Sequence, residues 1–278
     1  MKCRLVFLIL LTLTLWVLWA NTAPELTTYS VESSKLPHSF SGLRIAHVSD
    51  LHNTELGENN EKLLKLLEQS SPDIIAITGD LIDSRRTDIP ISLNFIEKAA
   101  KIAPCYYVTG NHESRISEYQ TLRDGLLAIG VTILENSTVS LTRNGESITL
   151  IGVNDPTFHP EYIQKGSYSV MEETLQKLPI NADNFNLLLT HRPELLELYE
   201  KYGIHLSLSG HAHGGQFRLP FIGGLFAPHQ GFFPKYDSGL HTIGNSNLII
   251  SRGLGNSSFP LRINNRPELI LIELKTPF

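Results

Sequence analysis

Cysteine is scarce in this sequence, because the 278 residues include only Cys3 and Cys105. One lies in an N-terminal segment and the other in the body of the chain, so neither a disulfide framework nor a thiolate zinc site is expected. Lysine and arginine form no run, and the formal net charge is −5. Since binding to a phosphate backbone needs a basic face, no specific binding of nucleic acid is expected.

Charge is absent from residues 5–20, which read LVFLILLTLTLWVLWA. A membrane-spanning helix needs about 20 apolar residues and the core of a signal peptide about 7–15, so this run lies between the two. No clear cleavage site follows it, and Trp16 and Trp19 suit a membrane interface. We predict a signal anchor over residues 1–22. The alternatives are a cleaved signal peptide, which would give a secreted protein, and a buried core helix.

Two basic residues, Lys2 and Arg4, precede the apolar run. Positive charge at this end keeps it in the cytoplasm, so the rest of the chain would lie on the extracytoplasmic side of the cell membrane. Residues 23–40 are polar and predict a tether, with a first edge strand near residues 29–31. Residues 41–278 are enough for one large α/β domain.

Beyond residue 41, apolar strand-like runs end repeatedly in short polar clusters. The five cases are LRIAHVSDLH, PDIIAITGDLID, PCYYVTGNHES, NFNLLLTHRPE and IHLSLSGHAHGG. Segments with helical apolar spacing separate the early cases, at residues 60–71, 91–102 and 119–130. This alternation predicts a βαβ-rich core. Later strand-like runs without helices between them, such as PELILIEL, predict a second or mixed sheet.

The polar clusters consist mainly of aspartate, asparagine and histidine, just past the carboxyl ends of predicted strands. Ligands bind at this edge of open α/β sheets. The metal-ligand candidates are Asp50, His52, Asp80, Asn111, His191, His211 and His213. Nitrogen and oxygen donors without thiolates suit manganese, iron or zinc. Residues i and i+2 of an extended segment point to one side, so Asp50 and His52 are expected to aim two donors together.

The motifs DLH, GDLID, GNHE, THRPE and GHAHGGQ, in this order, resemble those of the calcineurin-like metallophosphoesterase superfamily. The resemblance covers roughly residue 43 to the C-terminus. The longer stretches LPHSFSGLRIAHVSDLH, GHAHGGQFRLP and SRGLG resemble its membrane-anchored or exported bacterial branch, the YkuE/YaeI-like phosphodiesterases. Ala212 stands where that branch usually has threonine, which changes no candidate ligand.

The resemblance implies a four-layer α/β/β/α sandwich of two mixed sheets and a centre of two divalent metal ions. It assigns to the first ion Asp50, His52, Asp80 and His213. It assigns to the second ion Asp80, Asn111, His191 and His211. Asp80 would therefore bridge the two ions. His112 would face the substrate and protonate the leaving oxygen, and Asp83 would orient His112 through a hydrogen bond.

The implied activity is hydrolysis of a phosphoester by a hydroxide held between the ions. The resemblance to this bacterial branch favours a phosphodiester, either lipid-linked or from the cell envelope. The absence of a further cluster of lysine and arginine for a dianionic monoester is a lesser reason for the same choice. The alternatives are a phosphomonoesterase, including a protein phosphatase, and a non-catalytic module that binds metal and anion. Arg115 and Arg192 are candidates to bind phosphate oxygens, or else to pair with Glu113 or Glu194. Glu113 itself is expected to be a cap or surface residue.

One stretch, residues 217–236, is rich in aromatic side chains. These are Phe217, Phe221, Phe226, Phe232, Phe233 and Tyr236. We expect a loop that packs its aromatic rings on the core. The alternative is an apolar rim beside the site that meets a lipid or a bilayer surface.

Overall fold

Two six-stranded mixed sheets lie between two layers of helices in the computed structural model, which describes residues 2–256 and 259–277. The helices are α1 (Lys2–Thr22), α2 (Glu61–Ser70), α3 (Ile89–Ala99), α4 (Tyr119–Ile129), α5 (Tyr162–Lys177) and α6 (Leu196–Lys201). The strands are β1 (Glu25–Glu32), β2 (Arg44–Val48), β3 (Ile74–Thr78), β4 (Cys105–Val108), β5 (Thr132–Ile133), β6 (Ser137–Arg143), β7 (Glu146–Gly152), β8 (Asn186–Leu189), β9 (Leu206–Ser209), β10 (Arg218–Leu219), β11 (Gly223–Gly224), β12 (Phe226–Ala227), β13 (Gly231–Phe232), β14 (Gly239–Ile243), β15 (Ser246–Ile250) and β16 (Glu268–Lys275).

The strand order of the first sheet is β1-β16-β2-β3-β4-β5, and that of the second is β14-β15-β9-β8-β7-β6. β2 to β5 are parallel, and β16 runs antiparallel to β2. In the second sheet β15, β9, β8 and β7 are parallel between two antiparallel edge strands. β3, β8 and β9 are buried along their whole length, as expected of parallel strands covered on both faces.

Buried apolar side chains fill the spaces between four layers. α2 and α3 contribute Leu63 and Phe95 to the cluster on the outer face of the first sheet. The inner faces of the two sheets meet around Ile45 and Leu208. α6 contributes Tyr199 to the cluster on the outer face of the second sheet. The predicted α/β/β/α sandwich of two mixed sheets is confirmed.

Three helices occupy the segments with helical apolar spacing. α2, α3 and α4 coincide with the predicted segments, and the Asp88 carboxylate caps α3 by accepting the Ile91 amide at 3.3 Å. The sequence pattern does not predict α5 or α6. Gly166, with φ of 75°, interrupts α5, and α6 has only six residues.

Residues 25–32 confirm the edge strand predicted near residues 29–31, but they correct the prediction of a tether over residues 23–40 because the strand is longer. They form β1, which pairs in parallel with β16 from Glu25–Glu268 to Glu32–Lys275. Polar and apolar residues alternate in this edge strand because only one of its faces meets the core. Only residues 23 and 24 separate α1 from the first sheet.

Among the residues that the structure describes, one helix is long and apolar enough to cross a membrane. It covers residues 4–22 with a mean hydropathy of 2.0, and only 6% of the span is buried. The buried core helix considered as an alternative is therefore wrong, because α1 leaves its apolar side chains exposed. Length and composition suit both the signal anchor and the signal peptide.

Candidate functional site

The polar clusters that follow five strands meet at one place between the two sheets. β2, β3 and β4 deliver residues from the first sheet, and β8 and β9 deliver residues from the second. The buried side chains assembled here are Asp50, His52, Asp80, Asp83, Asn111, His112, His191, His211 and His213. Six of the seven metal-ligand candidates therefore lie together. The seventh, Asn111, directly precedes His112, whose amide donates to Asp80 Oδ1 at 2.8 Å.

The backbone at this site differs from the extended conformation expected for Asp50 and His52. Their φ angles are 53° and 49°, and His211 and His213 have φ of 70° and 48°. These left-handed values are uncommon for residues other than glycine and concentrate at functional sites. The two donors of each motif converge because the chain turns sharply at both residues, and the expectation based on an extended strand is wrong.

Asp80 belongs to two groups of donor atoms. The first group is Asp50, His52, Asp80 and His213, and the second is Asp80, His191 and His211. Within each group, one donor atom per residue lies within 4.8 Å of the others. Asp80 Oδ2 lies 3.2 Å from His191 Nε2 and 3.6 Å from His52 Nε2. One buried carboxylate thus connects the two groups.

The donor atoms of the two groups are arranged as expected for ligands of metal cations. His191 Nδ1 donates to the Thr78 carbonyl at 2.7 Å, which turns Nε2 toward Asp80. His191 Nε2 and Asn111 Oδ1 are buried and have no hydrogen-bond partner among the described residues. The Nε2 atoms of His52 and His213 lie 3.2 Å apart, so one ring donates to the other, and a cation between them would take the place of that proton.

Electrostatics at the second group favour a positive charge. Burial acts to lower the pKa of His191, but the carboxylates of Asp80, Asp50 and Asp155 outweigh it and raise this pKa to about 10. The neighbouring histidines hold the pKa of Asp80 well below its usual range, against the effect of burial. The negative charge of these carboxylates is therefore balanced either by a proton on His191 or by a bound metal cation. Binding of the cation would release that proton.

His112 lies beside the donor groups, with its ring centroid 4.5 Å from that of His52. Its Nδ1 accepts the backbone N–H of Ser84 at 3.0 Å, so the proton of the neutral ring resides on Nε2. Burial lowers the pKa of His112 to about 4, although the charges of Asp80 and Asp83 oppose this shift. The ring is therefore neutral near pH 7 and presents an N–H on its other side.

The predicted hydrogen bond between Asp83 and His112 is wrong. Asp83 Oδ1 lies 3.5 Å from His112 Nδ1, where Ser84 supplies the hydrogen bond instead. Asp83 accepts from the backbone amide and Nε of Arg85, at 3.0 and 3.1 Å, and lies 3.7 Å from Arg86 Nη2. Asp83, His52 and His112 still form a third group of adjacent donor atoms, so Asp83 stays at the edge of the site.

Comparison with known proteins agrees with this geometry. Residues 43–215 match the family described as calcineurin-like phosphoesterase. The chain belongs to this family. Its members hydrolyse phosphoesters, and the resemblance carried by the five motifs is confirmed.

Relatives of this phosphoesterase align over most of the chain. The metallophosphoesterase YkuE of Bacillus subtilis is 31% identical over 263 residues, which are 91% of this chain and 86% of that protein. The phosphodiesterase YaeI of Escherichia coli is 28% identical, covering 83% of this chain and 82% of that protein. A transmembrane protein with metallophosphoesterase domain from Danio rerio is 26% identical, covering 92% of this chain and 58% of that protein.

The two arginines considered for phosphate binding have different environments in the phosphoesterase. Arg192 is fully buried and donates to the Asp155 carboxylate through Nε and Nη2, at 2.6 and 2.9 Å. Its Nη1 lies 3.2 Å from His211 Nε2 and 3.7 Å from Glu194. Arg115 is exposed and makes no ion pair with the described residues. Arg115 is therefore the candidate with free donors.

Glu113 is fully buried, so the expectation of a surface position is wrong. Its carboxylate accepts the backbone amides of Asp80 at 3.0 Å, Leu81 at 2.7 Å and Gly110 at 2.8 Å. Burial and the charge of Asp80 raise the pKa of Glu113 to about 7, while the amide hydrogen bonds act in the opposite direction. Glu113 thus holds together the two loops that carry Asp80 and Asn111.

Replacing Glu113 by alanine is expected to lower the free energy of unfolding by about 3 kcal/mol or more, because each buried amide left without an acceptor costs about 1–3 kcal/mol. Denaturant unfolding of the full-length chain measures this loss. Glu55→Ala is the matched control, since Glu55 is exposed and such changes stay within about 0.5 kcal/mol. Equal stability of the two variants would contradict the role of Glu113.

Two further side chains beside the site give no signal in the sequence. Arg262 is buried, donates to the Arg252 carbonyl at 2.7 Å, and places Nη2 3.4 Å from His213 Nδ1. The ring of His229 stacks on that of His211 with centroids 5.3 Å apart. Both residues come from irregular segments with no motif around them, so only the tertiary structure reveals them.

Proposed function

We propose that this phosphoesterase is a phosphodiesterase that uses two divalent cations, either manganese, iron or zinc. The observation that carries the proposal is the buried Asp80 carboxylate, which two groups of nitrogen and oxygen donors share. Its Oδ2 atom faces histidines of both groups, while Oδ1 accepts the His112 amide at 2.8 Å. The neutral His112 beside these groups then supplies a proton donor without competing for a cation.

The proposal assigns a role to each residue of the site. Asp50, His52, Asp80 and His213 would hold one cation, and Asp80, Asn111, His191 and His211 the other. When bound, such cations supply an activated water and neutralise charge on the phosphoryl oxygens. His112 donates its Nε2 proton to the leaving oxygen, while the Ser84 amide keeps Nδ1 unprotonated. Arg115 would bind a non-bridging phosphate oxygen.

A diester is favoured over a monoester because most of the arginines near the site already form ion pairs with carboxylates of the protein. Arg85 and Arg86 pair with Asp83, and Arg192 pairs with Asp155. Of the two arginines considered for phosphate binding, Arg115 would have to balance the second negative charge of a monoester. The relative YaeI is described as a phosphodiesterase, which supports the same choice.

The test is the hydrolysis of bis(p-nitrophenyl) phosphate against p-nitrophenyl phosphate with manganese present. It uses the full-length chain in detergent, because a truncation at residue 29 would remove half of β1. We expect faster turnover of the diester and none after chelation. Faster turnover of the monoester would replace the proposal with a phosphatase. No turnover of either ester, with two metals bound, would favour the binding module.

We also propose that α1 anchors the chain in the cell membrane with the domain on the extracytoplasmic side. Its apolar exposed surface supports an anchor, as does the relative described as a transmembrane protein. Lys2 and Arg4 at its start support the orientation. A substrate in the same membrane or envelope, such as a lipid-linked phosphodiester, suits this location.

A further inference from the structure

Exposed apolar side chains concentrate on two segments of the domain. Most of the large apolar side chains exposed outside α1 lie within residues 219–233 and 259–263, which we call the apolar rim. Phe221 is fully exposed, and Ile222, Phe232 and Phe233 are each more than half exposed. The expectation that these rings pack on the core is wrong for them. Residues 219–233 also contain no Asp, Glu, Lys or Arg.

The two segments form one continuous surface. Residue 217 pairs with residue 263, and the amide of Arg218 donates to the Ile263 carbonyl at 3.0 Å. The rings of Phe217 and Phe259 are in contact, with centroids 5.0 Å apart. Gln216 Nε2 donates to the Phe259 carbonyl at 2.9 Å. A contiguous apolar surface of this kind marks an interaction site rather than scattered exposure.

The apolar rim is joined directly to the end of α1. Asn21 makes two hydrogen bonds with the backbone of Arg262, at 2.8 and 2.9 Å. The Trp19 ring stacks on the Arg266 guanidinium at 4.7 Å. Residues 23 and 24, which connect α1 to β1, span at most about 7 Å. A membrane crossed by α1 therefore has its surface next to the rim.

The apolar rim also adjoins the metal-ligand site. Arg262, held by Asn21, contacts His213, and His213 precedes the start of the rim by only six residues. A cavity of about 410 Å³ lies beside the site, and its lining includes His52, Asp83 and Pro260. Because Pro260 belongs to the rim, this cavity connects the candidate site to the rim, and its volume is in the range of small-ligand pockets.

We propose that the apolar rim docks on the bilayer that α1 crosses, so that the site opens at the level of the lipid head groups. The proposal rests on the anchoring role of α1 and on no particular substrate. Uncharged aromatic and aliphatic side chains insert into the interface between head groups and acyl chains, and the stabilisation scales with the apolar area buried. A lipid phosphodiester would then reach the site without leaving its membrane.

The test places the fluorophore NBD on a cysteine at position 221 of the full-length chain, in a Cys3→Ser background. Cys105 does not compete for the label, because it is buried and burial raises its pKa to about 12. The chain is reconstituted in vesicles of phosphatidylethanolamine and phosphatidylglycerol. We expect doxyl-labelled lipid to quench Phe221→Cys–NBD at least about threefold more than a label at position 163.

Ile163→Cys is the matched control, since Ile163 is 90% exposed on α5, outside the rim. Aqueous iodide should quench the label at position 163 and spare that at position 221. Equal access of iodide to both labels would overturn the proposal. A label at position 221 that is shielded from both quenchers, in a dimeric chain, would also overturn it and assign the rim to a second copy.

Turnover gives an independent measure of docking. The Phe221→Ser/Ile222→Ser variant should lower the ratio of diacylglycerol p-nitrophenyl phosphate to bis(p-nitrophenyl) phosphate hydrolysis about tenfold. Phe232→Ser/Phe233→Ser should act in the same direction, and Ile163→Ser should leave the ratio unchanged. Equal loss on both esters would contradict docking. If neither ester is hydrolysed, the proposed function fails, while the quenching result still decides whether the rim docks.

Discussion

Replacing Asp80 by alanine is expected to lower kcat for bis(p-nitrophenyl) phosphate by roughly 10³- to 10⁴-fold, as expected when a metal centre loses several kcal/mol of charge stabilisation. The same change should reduce the bound metal from two ions to one or none. Asp80 is the carboxylate common to both donor groups, and its Oδ2 faces His52 and His191. Removal of this carboxylate is therefore expected to weaken binding of both cations.

Metal analysis and steady-state kinetics on the same preparation check this result. Asp124→Asn is the matched control, because Asp124 is exposed on α4 and belongs to none of the donor groups. An Asp80→Ala chain that retains two ions and loses less than about tenfold in kcat would show that Asp80 does not bridge the centre.

The second large effect is expected for His112. His112→Gln should lower kcat by about 10²–10⁴-fold on an ester with an alkyl leaving group, the usual contribution of a general acid. Both metal ions should remain, because the His112 Nε2 proton is kept in place by the Ser84 amide at Nδ1. A nitrophenolate leaves without much protonation, so the loss on bis(p-nitrophenyl) phosphate should be smaller.

This dependence on the leaving group separates proton donation from a structural role. The control is His241→Gln, since His241 bonds the Ser238 carbonyl and lies outside the donor groups. An equal loss on alkyl and nitrophenyl esters, or a loss of one metal ion, would show that His112 is a ligand or a packing residue instead of the acid.

Local patterns predict the regular part of the fold well. Apolar runs mark β2, β3, β4, β8 and β9, and helical spacing marks α2, α3 and α4, because buried faces impose these periods. The pattern predicts only part of β1, because the polar residues at the start of this edge strand resemble a tether. It fails at α5, where Gly166 breaks the helical repeat. In both places the tertiary partner, and not the local sequence, decides the conformation.

The backbone conformation at the site could not be predicted from the sequence, for a related reason. The two-residue spacing of Asp50 and His52 suggests an extended strand, whereas both residues adopt positive φ. That conformation costs about 1–3 kcal/mol per residue and persists only where surrounding contacts enforce it. One such contact is the Asp50 carboxylate, which accepts the His211 amide at 3.1 Å across 161 residues of chain.

The sequence by itself determined which donors meet. Side-chain chemistry and the position of each cluster after a strand are local properties, and parallel strands bring their carboxyl ends to one edge. Only the tertiary structure decided what surrounds those donors: the buried Glu113, the Ser84 amide on His112, Arg262 beside His213, and the apolar rim beside the end of α1. These contacts join residues far apart in the chain, and no local pattern encodes which distant residue a side chain will meet.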